Sequence, residues 1–337
     1  MSAKLEPRTH TGTTAAQVQH LTDFAQAAAF FRNWQGRFEQ LSNGPFAGTL
    51  QVVRGQLVRV VAIHANQRVL LRGRDASGHF SVYPVIPGNA DSMWQGRRLA
   101  PGQLVIHGTD SETDHCSARN TEDYGVSLSA QVLDQAIRFL RYSVGHDVTC
   151  TWAVHTPSPE SFHSFRHHLT RMLSVAAADG SYFATPEGHQ LEQACIRSLV
   201  TSLFTTPAPL QKISLPGRTR LLHQAEEFMR SHLTSPIGVI DLCGLLNASD
   251  RTLRLAFRER YGLGPMEYYK RLRLNAVRSA LNHDSSMTIA AAATQFGFHH
   301  LGNFAADYRR LFGELPSETT RGRTTKPIRF TNPKSAT

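Results

Sequence analysis

Between Val239 and Pro265, and again between Thr288 and Pro316, apolar positions recur every three or four residues in a short run, break, and resume in a longer run closed by glycine. The segments are VIDLCGLLNASDRTLRLAFRERYGLGP and TIAAAATQFGFHHLGNFAADYRRLFGELP, and each predicts a short helix, a turn and a longer helix. Laid on one another, Leu253 falls on Phe304, Phe257 on Tyr308, Tyr261 on Phe312, Gly262 on Gly313 and Pro265 on Pro316, a constant offset of 51 residues. Helix periodicity alone does not require the turn, the closing glycine and the following proline to keep register. Two helix-turn-helix units are expected, and with them a grip on double-stranded DNA.

The rest of the chain has a different texture. Residues 1–20 are polar and threonine-rich and predict a flexible leader, and Leu21 to Phe31 carries a helical pattern. From Phe38 to Tyr124, short β-branched runs such as GTLQVVRGQLVRVVAIHANQRVLLRG and GQLVIHG are broken by Gly, Pro, Asn and Asp, as in a small barrel or sandwich. Helices follow at Val132 to Tyr142, Glu160 to Ala178 and Gly188 to Phe204. The expected fold is therefore α+β: a β-barrel or cupin-like domain with following helices, then an all-α domain of two helix-turn-helix units joined by a long helix. The boundaries read as a leader at 1–20, a ligand-binding and dimerising domain at 21–205, a proline-rich linker at 206–217, the DNA-binding domain at 218–320 and a basic flexible tail at 321–337.

At 100° per residue, Leu253, Ala256, Phe257 and Tyr261 face inward on the first recognition helix, and Arg251, Arg254, Leu255 and Arg258 face outward. Arg251 and Arg254 stand near the helix start, where base edges are read, and Arg258 suits a phosphate. The second unit has Gly302, Ala305 and Ala306 at the equivalent places, side chains that allow close approach but no bidentate contact. Base readout there falls to His299, His300 or Asn303, and Arg309 and Arg310 suit the backbone. The helix from Pro265 to Leu281, about 25 Å long at 1.5 Å per residue, joins the units as a rod that carries the second toward the next major-groove window.

Charge agrees with this division. Residues 206–337 hold 19 Lys and Arg against 10 Asp and Glu, whereas residues 1–205 hold 17 against 16, so nearly all of the net +10 lies with the helical repeat. Cys116, Cys150, Cys195 and Cys243 are scattered singly, without the spacing of a metal site, and read as reduced residues of a cytoplasmic protein. No secretory leader or run of about 18 apolar residues stands out. Glu160, His163 and His167 share a helix face but lack a further ligand, and no HExxH, GxSxG, phosphate loop or dinucleotide fingerprint is present. Neither an enzyme nor a metal or other cofactor is expected.

The double unit, the RLRLNAVRSAL rod, Gly297–Phe298 and the FGELPSE closure resemble the AraC/XylS family of bacterial transcription regulators over residues 218–320. The resemblance implies that Arg251, Arg254 and Leu255 face bases, with Leu255 replacing a polar or basic side chain and suiting a thymine methyl. The N-terminal region resembles, more weakly, the barrel-like effector-binding domains attached to such regulators. That implies a homodimer that senses a small effector, contacts RNA polymerase and activates a metabolic operon. The alternative is an architectural binder or repressor that ignores ligands and whose N-terminal domain only oligomerises. Candidate effector-binding residues, chosen as aromatic or polar side chains on or beside strands, are Arg59, His64, Phe80, Tyr83, Trp94 and His107, which suit a largely apolar molecule.

Overall fold

The computed structural model of the chain describes residues 15–24, 26–27, 34–75, 78–109, 111–142, 153–205, 211–212 and 217–322. Its strands are β1 (Ala15–Leu21), β2 (Trp34–Gln40), β3 (Gly48–Arg54), β4 (Val58–Ala65), β5 (Val69–Asp75), β6 (His79–Pro84), β7 (Met93–Trp94), β8 (Arg97–Arg98), β9 (Leu104–His107), β10 (Glu112–Cys116), β11 (Thr121–Ser129), β12 (Ala153–His155) and β13 (Gln211–Lys212). The α-helices are α1 (Ala130–Phe139), α2 (Pro159–Ala178), α3 (Pro186–Phe204), α4 (Gly217–Ser231), α5 (Val239–Leu246), α6 (Asp250–Tyr261), α7 (Pro265–His283), α8 (Ile289–Gln295), α9 (Leu301–Phe312) and α10 (Pro316–Gly322).

The strands form two sheets, one ordered β1-β3-β4-β11-β6-β9-β12-β13 and the other β2-β5-β10-β7-β8. Neither closes on itself among the described residues, so the expected barrel or cupin is replaced by two open sheets whose inner faces enclose a cavity. Alternation gives the larger sheet its two faces. Val58, Val60, Phe80, Val82, Val126 and Leu128 point one way, into a core shared with α1, α2 and α3. Arg59, Val61, Ser81, Tyr83, Asp123 and Ser127 point the other way and line the cavity.

Two expectations near the N-terminus are corrected. Residues 15–20, placed in the flexible leader, form β1 with Leu21 and pair antiparallel with β3. The helix expected from Leu21 to Phe31 is instead the end of that strand, then bends at 22–23 and a 3-10 turn at 24, 26 and 27; the other positions lie outside the described residues. Within the proline-rich segment, Gln211 and Lys212 pair with Ala153 and Val154 and so extend the sheet edge. The basic tail beyond residue 322 lies outside the described residues.

In the helical domain, local chemistry sets each boundary. The Ser249 hydroxyl accepts from Thr252 N at 3.1 Å and caps α6, and Thr288 does the same for α8 through Ala291 N at 3.1 Å. Asn247, Gly262 and Gly313 adopt left-handed φ of 47°, 72° and 75° and end α5, α6 and α9. Leu253, Phe257, Tyr261 and Tyr268 pack into the core of the first unit, and Val277, Leu281, Phe304 and Tyr308 into that of the second. Helix α7 contributes to both, which couples the two units through one rigid element.

Candidate nucleic-acid interface and ligand pocket

The first reader presents the face expected of it. Arg251, Arg254, Leu255 and Arg258 are exposed on α6, and Leu253, Ala256, Phe257 and Tyr261 are buried behind them. Arg254 is held by Asp250, whose carboxylate accepts from Nε at 2.8 Å in an exposed i,i+4 pair. Such a pair contributes about 0.5 kcal/mol or less, so it holds the guanidinium only loosely at the exposed start of the helix. In the second reader His299, His300, Gly302, Asn303, Ala306, Arg309 and Arg310 are exposed and Ala305 is half-buried. Arg310 also pairs with Asp307 at 3.4 Å.

The arginines of the rod serve the protein itself. Arg273 donates to the Phe296 carbonyl at 2.5 Å and lies over the Phe298 ring, 4.5 Å from its centroid. Arg278 donates to Asp23 at 2.6 Å and to Glu314 at 2.8 Å. Arg271 is buried and donates to Glu267.

Arg260, in the last turn of α6, was not singled out from the sequence. It is 3 % exposed and donates to Asp114 of β10 at 2.5 Å. The same carboxylate lies 3.2 Å from Arg72 of β5 and accepts from His223 of α4 at 3.0 Å. Arg72 pairs also with Glu226 of α4, which accepts from Tyr261 at 2.9 Å and from Tyr268. Glu39 of β2 accepts two bonds of 2.6 Å from Arg230. Burial pushes the Asp114 carboxyl up, but Arg260, the His223 hydrogen bond and Arg72 outweigh it and hold the group well below the usual carboxylate range. Burial and Glu226 push the Tyr261 and Tyr268 hydroxyls well above theirs.

This ion network fastens the smaller sheet to the first helix-turn-helix unit, and Leu41, Leu70 and Cys116 join that unit's core. The second unit is fastened as well. Gly44 N donates to the carbonyls of Arg310 and Leu311 at 3.1 Å, and the Gln40 side chain donates to the Leu311 carbonyl at 2.6 Å. Gly313 is required here twice over: φ is 75°, and a Cβ would lie 2.6 Å from Pro45 N.

On its reverse face the same small sheet lines the cavity. Phe38, Leu71, His115 and Trp94 oppose one another across β2, β5, β10 and β7. Across the larger sheet, Arg59, Ser127, Ser81 and His107 form a polar row, with the two serine hydroxyls 2.8 Å apart. Thr113 Oγ1 and His107 Nδ1, 3.0 Å apart, bridge the sheets. Trp94 stacks on His115 with centroids 3.9 Å apart and planes at 20°. Burial lowers the pKa of His107, with His115 adding to the effect, and burial also lowers that of His115 against the pull of Asp123. The cavity has a volume of about 90 Å³.

Of the six residues expected to bind an effector, Arg59, Tyr83, Trp94 and His107 line this cavity. Two do not. Phe80 and His64 have the opposite parity on their strands, so Phe80 is fully buried in the core beneath the helices and His64 is exposed outside. Residues the sequence reading passed over, His79, Thr113, His115 and Asp123 among them, complete the polar lining. Strand parity counted from Arg59 through Val61 to Ile63 would have favoured that face. Among the described residues no group of three or more His, Cys, Asp or Glu is placed to hold a metal ion, and no helix is long and apolar enough to cross a membrane.

A helix-turn-helix domain family matches residues 242–322. The chain is 25 % identical over 267 residues to the XylDLEGF operon transcriptional activator of Pseudomonas putida, covering 75 % of this chain and 78 % of that protein. It is 32 % identical over 112 residues to the probable thc operon regulatory protein of Rhodococcus erythropolis, 33 % of each chain. The crystal structure of a probable AraC family transcriptional regulator from Rhodopseudomonas palustris shares 38 % identity over 31 % of this chain and 97 % of its own, with a TM-score of 0.29.

Proposed function

We propose that the chain is an AraC/XylS-family regulator whose C-terminal helix-turn-helix domain binds DNA sequence-specifically, and that it is an effector-responsive activator. The observation that carries the DNA half of the reading is the exposed start of α6, where Arg251 and Arg254 stand clear of every interdomain contact given above. With α9 on the far side of the α7 rod, each subunit spans two consecutive major-groove windows. Arg251, Arg254 and Leu255 read bases in the first window. Arg258, Arg309 and Arg310 take phosphates, and Gly302, Ala305 and Ala306 admit close docking in the second, beside His299, His300 and Asn303.

The effector occupies the cavity between the sheets, and its presence is felt by the readers through β10. That strand turns Thr113 and His115 toward the cavity and Asp114 toward Arg260. A ligand that moves the strand therefore acts on the end of the recognition helix, a differential contact of the kind ligand-driven coupling needs. The protein works as a homodimer in the cytoplasm and activates by engaging RNA polymerase, as befits similarity to an operon activator.

The test is a reporter fused to the cognate promoter, with footprinting of the purified full-length chain. Protection over two adjacent groove windows per subunit and ligand-dependent transcription are expected. Specific binding with a reporter indifferent to every metabolite would favour the architectural reading instead.

A further inference from the structure

One pair of buried groups in the cavity is left incomplete. His115 Nε2 is buried and makes no hydrogen bond, and it stands 4.0 Å from Asp123 Oδ2. Burial lowers the pKa of this imidazole and so favours its neutral form. Asp123 already accepts from Asn89 at 3.0 Å and from Thr121 at 3.0 Å, so its carboxylate is held in place and retains acceptor capacity. Two polar atoms 4.0 Å apart are too distant to bond each other, yet an oxygen between them sits at a normal distance of about 2.8 Å from both. With the proton of the neutral ring on Nε2, that oxygen donates toward Asp123 and accepts from His115, which a hydroxyl does and a carboxylate does not.

We propose that the effector is an uncharged, single-ring hydroxylated compound, a phenol or aryl alcohol, whose hydroxyl bridges His115 and Asp123. The proposal rests on the sensor reading above and names the ligand class for it. The ring lies against the Trp94 and Tyr83 side, with Ile63, Val69 and Leu71 supplying apolar wall. The volume of about 90 Å³ is below the roughly 150 Å³ of a dry engineered cavity that holds benzene, so it admits at most one small ring and no larger ligand. A carboxylate at this place would set a second anion against Asp123 with no proton to share. The rival seat for a carboxylate is Arg59, which lies on the far polar row. Asp123 opposes Ile63, four residues along β4 from Arg59, or about 13 Å at the rise of a strand, so one small ring does not engage both.

The test is calorimetric titration of the full-length chain with 4-methylphenol, toluene and 4-methylbenzoate. The phenol is expected to bind tightest, with toluene weaker by more than about tenfold because it forgoes both hydrogen bonds, and the benzoate weaker than the phenol. Asp123→Asn should narrow the gap between phenol and benzoate. His115→Phe, which keeps the stack on Trp94, should lower phenol affinity by about tenfold and leave toluene unchanged. Benzoate or toluene binding as tightly as the phenol overturns the proposal while the sensor reading stands, as does unchanged phenol affinity in a folded His115→Phe chain. No binding of any of the three overturns the proposal while the sensor reading stands, and only a reporter indifferent to every metabolite overturns both.

Discussion

Replacing Asp114 by Ala removes the anion at the centre of the interdomain network and leaves Arg260, 3 % exposed, without its 2.5 Å partner. Arg72 keeps Glu226, so the damage centres on Arg260 and, less, on His223, which is part-exposed and able to turn to water. Removing one partner of a buried pair costs about 3–5 kcal/mol because the remaining charge stays desolvated. That figure is also a ceiling on what the intact interface must resist. If docking is worth less, the sheet lets go of the helical domain, Arg260 reaches water, and the loss equals the docking free energy. Urea denaturation with probes in each domain separates these outcomes: a single transition shifted by about 3 kcal/mol or more, or two transitions where the parent chain has one. A double-mutant cycle with Arg260→Met isolates the pair, since Met refills the volume without the charge. A shift under about 1 kcal/mol with no coupling in the cycle would refute the reasoning, for then the pair holds nothing together. The pH dependence has a fixed sign. Because the folded-state pKa of Asp114 is depressed, its contribution is fully present above the unfolded value, about 3.9, and is lost as pH falls through the depressed folded value. The dock should therefore survive mild acid, and Asp114→Ala should weaken it most at neutral pH.

Other outcomes follow from the same geometry. Arg254→Ala should relax base preference at one operator position by about 1–3 kcal/mol, measured by binding to a library of single-base operator variants; preference unchanged at every position would exclude a base contact. Saturation mutagenesis of the operator should show the half under α9 to be less selective than the half under α6, because Gly302 and Ala306 present no hydrogen-bonding side chain. Equal strictness in both halves would contradict that assignment. Glu192 is fully buried, its carboxyl accepting from Leu57 N at 2.9 Å and Val58 N at 3.2 Å, and burial raises its pKa. A raised folded value gives a contribution that is present in acid and lost as pH rises through it. Glu192→Gln should accordingly gain in melting temperature over the parent as pH rises above the ordinary carboxylate range, and a difference that stays constant with pH would refute it.

The helix-turn-helix units were legible because every signal for them is local. Ser249, Thr288, Gly262 and Gly313 act within one turn of themselves, and Leu253 to Tyr261 shows its buried face by spacing alone. Long-range pairing was not legible in the same way. Closure of a barrel depends on which distant strands meet, and here β1 and β13 end the larger sheet as edges. Choosing candidate ligands by residue type admitted Phe80 and His64, which parity sends away from the cavity. Arg260 looked like another basic residue of a DNA-binding helix, because the anion that buries it lies 146 positions earlier in the chain. What gave no local signal was the docking of one domain on the other.

Strand β10 and its neighbour Ser117 can be viewed as two short messages printed in alternate letters. Asp114 and Cys116 spell the attachment to the helical domain, and Thr113, His115 and Ser117 spell the lining of the cavity. Because the letters alternate, either message can be rewritten by substitution while the other stays intact, so a change in the cavity lining need not disturb the dock to the helical domain. Insertion or deletion of a single residue is a different matter: it exchanges the two messages at once. The cavity lining can thus drift readily, but the length of this strand is held fixed by having to serve both sides.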